Sequence, residues 1–392
     1  MGHQTYTVVL SKKLDYYPDS AYDVVLEERL GNLKAKALSS GFWSVGLALV
    51  RTWVLSLALF LKALVTCDLF IFVWGSPSLL PRHWDYPILK MFGKAIVAVF
   101  LGSDIRYWYA FQQEVRLLGL YHEFKPYLEY LKSIRNGYFD KIEEVRAAER
   151  YADVIFSQPD CGQLQTRPYM RTYLPLDLAQ YRFHVPDREV PIVLHAPSNP
   201  RAKGTKYVLE AVEQLRREGI KFEFVLIEQM PNARLRQLLA DADIVVDQLF
   251  GLTIATLALE SMATGNVVLA NLEASYSHVP SDCPVVKVTM DTLADQLGKV
   301  ILDRDLRRRL ACVGRKYVEK YHRHLRVAQQ VLDCAKARAN VEYDFFPTFF
   351  KNHFVMPDEL VKEERVRRMQ KQRRRLLPAR LRWIVWPFTL VP

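Results

Sequence analysis

The sequence predicts an α/β protein made of two doubly wound, Rossmann-like domains that face a cleft. Its 392 residues are enough for two or three domains. Short β-branched runs alternate with helical patterns throughout the second half of the chain, and less regularly in the first half. This alternation is typical of a parallel sheet covered by helices on both faces. About half of the residues are hydrophobic and a quarter are charged, as in ordinary globular proteins.

The strand predictions follow from apolar runs rich in Val, Ile and Phe. In the first half they cover residues 68–74, 94–100 and 152–157. In the second half they cover residues 191–196, 222–227, 243–247, 266–270 and 284–288. Helices are expected between the strands of the second half. One begins at Thr205 and stops at Gly219. Another runs from about Thr253, which is its expected cap, to Thr264, and Gly265 follows it.

These patterns divide the chain into four parts. An N-terminal arm covers residues 1–40, an N-terminal Rossmann-like domain 41–185, a C-terminal Rossmann-like domain 186–335, and an aromatic and basic tail 336–392. A polar, Pro-containing stretch at 182–191 marks the change between the two domains.

The apolar segment 42–65 is long enough to span a bilayer. It contains Arg51 and Lys62, however, and a charge inside a spanning helix costs about 2.5–3.5 kcal/mol on insertion scales. A predicted strand follows at once. We therefore expect a buried or interfacial helix rather than a span.

The net charge of +11 is concentrated in one place. Between Lys362 and Arg382 there are ten Lys and Arg residues and two Glu, which leaves only +3 for all other residues. A nucleic-acid-binding domain needs its positive charge on the folded surface, so nucleic acid is an unlikely partner. The tail is either a solvated helix followed by a crossover packed on the first domain, or a peripheral anchor that places Trp383 and Trp386 on an anionic membrane.

The five cysteines form no CxxC pair, which argues against a zinc site or a disulfide framework and favours a reduced, cytoplasmic setting. The N-terminus lacks the pattern of a secretory signal peptide.

Two segments of the second domain are candidates for an anion site. In SNPRAKGT, residues 198–205, Arg201 and Lys203 lie beside a helix start, and Gly204 permits close approach of a ligand such as a diphosphate. A basic surface loop is the alternative. In residues 248–270, Gly251 ends a loop before a helix that contains Glu260. Glu228, at the end of a strand, is a third candidate, although an exposed loop carboxylate explains it better.

These motifs resemble those of retaining glycosyltransferases of the GT-B fold, the group 1 or family 4-like enzymes. LESMATGNVVLA is similar to their LEAMAxGxPVIA segment, and KGTKYVLEAVEQL to their KG…LIEAFxxL segment. DLFIFVWGSPSLL and VAVFLGSDIR resemble two strand ends of their first domain. The resemblance implies that Lys203 contacts the diphosphate of a nucleotide sugar and that Glu260 binds the ribose. It also implies that the first domain binds the acceptor.

Three positions depart from the family pattern. Leu252 stands where many members have a glutamate, Ala196-Pro197 replace a GR pair, and Leu101 replaces a histidine. Arg201 is the substitute that we expect for the missing cation, and Asp104 is the remaining polar group of the first domain's cleft. Asp104 could also cap the following helix.

The resemblance thus implies a hexosyl-type glycosyltransferase that uses a UDP- or GDP-sugar donor, retains configuration and needs no cofactor or metal. The DAD sequence at Asp241 and Asp243 fits element ends better than a metal site. The expected acceptor is a lipid-linked or cell-surface glycan, at the inner face of the membrane. A catalytically inactive GT-B scaffold is the alternative, motivated by Leu252 and Leu101. We assign catalysis to Asp104, Lys203 and Glu260, and nucleotide binding to a larger set: Asn199, Arg201, Lys203, Gly204, Thr205, Glu228, Gln248, Gly251 and Glu260.

Overall fold

The computed structural model describes residues 2–9, 22–26, 42–73, 79–80, 83–102, 104–134, 137–228 and 230–376. The chain divides into two compact units, Met1–Phe350 and Lys351–Pro392. Most of the predicted N-terminal arm and the tail residues Trp383 and Trp386 lie outside the described residues.

Two parallel sheets form within the first unit, and we call each sheet with its helices a lobe. The described strands of the first lobe follow the order β3-β4-β5-β6, all parallel. Their bounds are β3 Leu69–Val73, β4 Ala95–Val99, β5 Val154–Ser157 and β6 Met170–Arg171. The three strands predicted for this half are confirmed, whereas β6 was missed because two residues give no periodic signal. A separate parallel pair consists of β1 (Val8–Val9) and β2 (Val24–Val25).

The helices of the first lobe precede or connect these strands. They are α1 Phe42–Thr66, α2 Asp85–Met91, α3 Trp108–Leu117, α4 Tyr121–Ser133 and α5 Tyr138–Tyr151. Segment 42–65 is thus helical, as expected. Among the described residues, no helix combines the length and the apolar character that crossing a bilayer requires.

The second lobe has a sheet of order β11-β10-β9-β7-β8. All five strands predicted for this half are confirmed: β7 Ile192–His195, β8 Glu223–Leu226, β9 Ile244–Val246, β10 Val267–Ala270 and β11 Val286–Lys287. The helices are α6 Pro200–Lys203, α7 Thr205–Arg217, α8 Asn232–Asp241, α9 Thr256–Thr264, α10 Ala274–Ser277, α11 Leu293–Leu302, α12 Arg304–Tyr321 and α13 His324–Ala337. Because β8 and β9 flank β7 on opposite sides, the direction of strand order reverses at β7. A crevice is expected at its carboxyl end.

The ends of α9 match the prediction on one side only. Gly265 follows the helix with a φ of +103°, as a C-terminal glycine should. The start at Thr253 was wrong, because α9 begins at Thr256 after Ala255. Thr253 is buried, and its carbonyl accepts a hydrogen bond from the Gln248 side chain, so it belongs to the preceding loop.

Residues after α12 return to the first lobe. Val331 and Ala335 of α13 pack against a cluster that includes Val97 and Phe156. Further along, Phe345 pairs with Tyr169 through two backbone hydrogen bonds. The end of the first unit therefore packs against the four-stranded sheet of the first lobe.

The two lobes also contact each other directly. Tyr127 of α4 stacks on Phe250 of the second lobe, with ring centroids 6.0 Å apart and an angle of 9°. The Tyr276 hydroxyl of α10 donates to the carbonyl of Pro159, at the carboxyl end of β5. Apolar and polar contacts together hold the lobes side by side.

Glu114 of α3 is a buried carboxyl close to the second lobe. Gln163 donates to its Oε2 at 2.7 Å, and Tyr276, Asp160, Cys161, Tyr169 and Arg106 surround the same region. Burial raises the pKa of Glu114 to about 7, and the hydrogen bond from Gln163 opposes this shift. The folded protein therefore favours the neutral acid.

The raised pKa of Glu114 makes the stability of the fold depend on pH. Between about pH 4.5 and pH 7 the unfolded chain releases the Glu114 proton and the folded chain keeps it, so stability falls as pH rises. The wild type should lose free energy of unfolding on the order of 3 kcal/mol across this pH range, and we expect Glu114→Gln to abolish that loss. Urea unfolding at several pH values measures it. Parallel pH profiles for the wild type and Glu114→Gln would contradict the assignment, and Glu129→Gln, at an exposed position of α4, is the matched control.

The described helices of the second unit are the end of α14 (Phe349–Asn352) and the basic helix α15, Asp358–Leu376. In α15, Arg367 and Arg368 pair with Glu363 and Glu364, one turn earlier. Such exposed pairs support the helix by about 0.3–0.5 kcal/mol each.

Candidate functional site

A pocket of about 280 Å³ lies in the second lobe at the carboxyl end of β7. It is bounded by the loops that follow β7 and β8 and by the first turn of α9. The lining residues are Ala196, Pro197, Ser198, Lys203, Ile227, Met230, Asn232, Leu235, Ala255, Thr256, Leu257 and Glu260. Its walls are mostly apolar, with a few converging polar groups, which is the usual composition of a small-molecule site.

Lys203 is the cation of this pocket. It ends the short helix α6, and its Nζ donates to Asp247 Oδ1 at 2.9 Å and to Gln248 Oε1 at 3.1 Å. Asp247 is almost completely buried, and its Oδ2 has no hydrogen-bond partner. Lys203 is therefore fixed in place by a buried carboxylate that depends on it.

Glu260 faces the same pocket from α9. Its Oε1 accepts hydrogen bonds from the Tyr181 hydroxyl at 2.9 Å and from Asn232 Nδ2 at 3.0 Å. Burial raises the pKa of Glu260, and these two hydrogen bonds oppose the shift. Two segments that are distant in sequence thus orient one carboxyl group.

Backbone donors complete the pocket's polar side. The first N–H groups of any α-helix lack intrahelical partners and attract negative charge. Ala255, Thr256 and Leu257, at the start of α9, line the pocket. A cation, a carboxyl group and a helix N-terminus therefore lie around one cavity, which can hold an anion beside a hydroxylated group.

The other predicted residues of segment 198–205 lie outside the pocket lining. Asn199 caps α6 by accepting from the Ala202 N–H, and its Nδ2 donates to the Tyr130 hydroxyl of the first lobe. Arg201 is exposed. Gly204 has a φ of +78° and links α6 to α7. In the structure these residues make other contacts or face solvent. Their roles as nucleotide contacts therefore stay predictions.

Thr205 takes part in a buried network instead. Its Oγ1 lies 2.9 Å from His195 Nε2, and His195 Nδ1 lies 2.8 Å from the carbonyl of Val246. A carbonyl only accepts, so Nδ1 carries the proton, and burial lowers the pKa of His195 so that the ring is neutral. Thr205 therefore donates to Nε2. His195 joins β7 to β9 beneath the pocket.

Gln248 and Gly251 form the loop next to Lys203. Gln248 accepts from Lys203 and donates to the Thr253 carbonyl at 2.9 Å. A Cβ at Gly251 would lie 2.0 Å from Gln248 Nε2, so glycine makes room for that side chain. Leu252 is fully buried in the core of the lobe. Glu228 is exposed at the end of β8, outside the lining.

Asp104 lies in the first lobe, in the loop after β4. Its carboxylate accepts from the N–H groups of Leu101 and Gly102, at 3.0 and 2.7 Å. The hypothesis that it caps the next helix was wrong, because α3 begins at Trp108 after Tyr107. Asp104 closes its own loop instead, and its catalytic role stays a prediction.

Two functional candidates, Tyr181 and Asn232, were not predicted from the sequence. Tyr181 lies in the connection between the lobes, and Asn232 is the first residue of α8. Neither belongs to a motif. Only the folded chain shows that both donate to Glu260.

Among the described residues, no group of three or more His, Cys, Asp or Glu side chains has a geometry that suits a metal ion.

Comparisons with known proteins yield structural matches only. No family model matches the chain, and no curated protein matches its sequence. Sucrose-phosphate synthase from Thermosynechococcus elongatus aligns with a TM-score of 0.50 and 14% identity, over 70% of this chain and 74% of that one. Anabaena HepE, solved with UDP-glucose, aligns with a TM-score of 0.48 and 14% identity, over 72% and 82%.

WaaG, a glycosyltransferase involved in lipopolysaccharide biosynthesis, aligns with a TM-score of 0.38 and 16% identity, over 66% and 81%. The structural neighbours are thus GT-B glycosyltransferases at low identity. At this level the comparison concerns the fold. The predicted GT-B architecture, with two Rossmann-like domains, is confirmed.

Proposed function

We propose that this protein transfers a sugar from a nucleoside diphosphate sugar to an acceptor hydroxyl. The observation that supports this proposal is the convergence of Lys203, Glu260 and the start of α9 on one pocket at the switch point of the second sheet. In the reaction, the bond between the anomeric carbon and the diphosphate breaks, the acceptor oxygen forms the new bond to that carbon, and the acceptor's proton passes to the leaving diphosphate. The main task of the protein is to stabilise the negative charge that develops on the leaving diphosphate.

Each pocket group has a role in this proposal. Lys203 and the N–H groups at the start of α9 bind the diphosphate. Glu260 accepts a hydrogen bond from the ribose, and Tyr181 and Asn232 hold it in position. The base lies against the apolar side chains of Ile227, Met230 and Leu235. These groups stabilise the leaving diphosphate by preorganised charge, so we propose that no metal is required.

The donor is a UDP- or GDP-hexose, and transfer retains configuration, as in the enzymes whose motifs the sequence resembles. HepE was solved with UDP-glucose, which supports a uridine donor as the first to be tested. Asp104, in the first lobe's loop after β4, faces the acceptor in this scheme.

We propose a lipid-linked or cell-surface glycan as the acceptor, and a peripheral location at the cytoplasmic face of a membrane. The support is the basic charge of the tail, of which α15 is the described part. Cations near an anionic leaflet strengthen attachment by about 1 kcal/mol each.

Glu260→Gln tests the nucleotide site. A carboxylate that accepts from a ribose hydroxyl contributes about 1.5–3 kcal/mol, so we expect the affinity for UDP or GDP to fall at least 10-fold. Calorimetry with the nucleotides and transfer assays with the sugars measure this loss. Glu210→Gln is the matched control, since Glu210 is exposed on α7 and makes only a loose pair with Lys206. Equal affinities of the two variants would contradict the proposal.

A catalytically inactive GT-B scaffold is the second candidate. The burial of Leu252 favours it, because no carboxylate occupies that position, and so does the pairing of Lys203 with Asp247. A scaffold would show no affinity for UDP, GDP or their sugars in the wild-type protein. An enzyme would bind at least one of them and turn it over.

A further inference from the structure

Helix α1 exposes a continuous apolar side. The exposed residues recur every three or four positions, and we call them the apolar stripe: Val50, Trp53, Val54, Leu57, Leu61 and Val65. The exposed fractions include 63% for Val54 and 82% for Val65. At about 100° per residue the six side chains fall within an arc of about 120°, over a length of roughly 22 Å. A soluble surface normally shows such residues singly rather than as a stripe.

The opposite side of α1 is packed against protein. Leu59, Phe60, Ala63 and Leu64 are buried, and Leu59 belongs to a cluster with Val24 and Leu26. The helix therefore cannot hide the apolar stripe by rotation. A helix that is packed against protein along one side and has exposed apolar residues along the other can bind a lipid surface with its axis parallel to that surface.

The charges of α1 indicate the nature of that surface. Its sequence contains Arg51 and Lys62 and no Asp or Glu. Both cations are exposed, and helical geometry places them on the same flank of the stripe, at about 100–120° from Val50. Lys62 Nζ lies 4.3 Å from the centroid of the Tyr6 ring. An apolar stripe with a cationic flank is complementary to a surface that is apolar inside and anionic at its boundary.

A protein partner fits these features less well. At a width of about 10 Å the stripe offers roughly 200 Å², against about 800 Å² for each side of a stable protein interface. A second copy would also bring two purely cationic flanks together. A lipid surface needs no minimum matching area, because each apolar side chain enters it independently.

We propose that the apolar stripe of α1 docks on an anionic lipid surface, with Arg51 and Lys62 at the headgroups. This docking is separate from the basic tail and does not depend on the proposed reaction, because it involves no pocket residue. It places the first lobe against the bilayer.

Sedimentation of the full chain with vesicles tests the proposal. The vesicles contain phosphatidylcholine alone or with 30% phosphatidylglycerol. We expect the double variant Val54→Glu and Leu61→Glu to bind the anionic vesicles at least 10-fold more weakly than the wild type. Leu302→Glu with Val313→Glu is the matched control, since both side chains are exposed and apolar and lie in the second lobe. Arg51→Gln with Lys62→Gln should weaken binding to anionic vesicles about 30-fold, since each cation near the surface contributes about 1 kcal/mol.

A second measurement needs no disruptive change. Brominated lipids quench tryptophans that enter the bilayer, and Trp53→Phe should remove part of the quenching, whereas Trp108→Phe should not. The proposal is overturned if the wild type does not bind vesicles, or if the two Glu double variants bind them equally. It is also overturned if Val54→Glu with Leu61→Glu instead abolishes a dimer seen by light scattering. Thermal unfolding that matches the wild type confirms that each variant is folded.

Discussion

Lys203→Met is expected to lower kcat/KM for the nucleotide sugar by 100- to 1000-fold. Among the described residues that line the pocket, Lys203 is the only Lys or Arg, and in the proposed reaction the leaving diphosphate gains negative charge. Loss of one preorganised donor of this kind costs about 2.7–4 kcal/mol of transition-state stabilisation. Steady-state kinetics with UDP- and GDP-sugars measure the loss.

The same variant has a structural effect that must be separated from the chemical one. Lys203 pairs with Asp247, whose side chain is 1% exposed. Removing one partner of a buried pair costs about 3–5 kcal/mol of stability, because a charge is left uncompensated. We therefore expect Lys203→Met with Asp247→Asn to regain much of the stability and none of the activity.

Lys206→Met is the matched control for both effects. Lys206 lies on α7 next to the site, with a side chain 77% exposed and a loose pair to Glu210. It should keep wild-type kinetics and stability. Wild-type turnover in a folded double variant would exclude Lys203 from the diphosphate site and would leave the proposed function without its central group.

Gly265→Ala is expected to destabilise the protein by about 2–5 kcal/mol, from the sum of backbone strain and overpacking. Gly265 has a φ of +103°, and a Cβ there would lie 1.9 Å from the backbone oxygen of His184. The clash cannot be relieved by a side-chain rotation. The His184 segment is also tied to α9, since its N–H donates to the Thr264 carbonyl at 2.9 Å.

Gly219→Ala separates strain from clash. Gly219 also has a positive φ, +78°, but a Cβ there would meet nothing within 4 Å. This variant should cost about 1 kcal/mol, from backbone strain alone. The urea midpoints of both variants, followed by circular dichroism, test the comparison. Similar shifts of the two urea midpoints would show that the backbone after Tyr181 moves to accommodate the Cβ at low cost, which would contradict the expected clash with His184.

The second lobe was predictable because its signals are local. Its strands are β-branched runs, and Gly219 and Gly265 end helices through backbone freedom that only glycine supplies cheaply. Lys203 and Glu260 were identified from motifs, and the fold brings them to one pocket because parallel strands end at the same edge.

The first lobe was harder to predict. Strand β6 has two residues and no periodicity, and it exists because β5 presents a partner. The second lobe contains one such case as well, since Thr253 resembles a helix cap in the sequence, yet the Gln248 side chain donates to its carbonyl within the loop. In each case a contact with another segment outweighed a local preference.

The sequence by itself determined the alternating strands and helices, and with them the parallel sheets and the edge at which we propose that a ligand binds. Only the tertiary structure decided which polar groups serve that edge. Lys203 is directed by Asp247, and Glu260 by Tyr181 and Asn232, because buried polar groups must find partners wherever the fold supplies them. The apolar stripe of α1 is likewise a property of the tertiary structure. The sequence shows an apolar helix, but the packing of neighbouring segments decides which of its sides stays exposed.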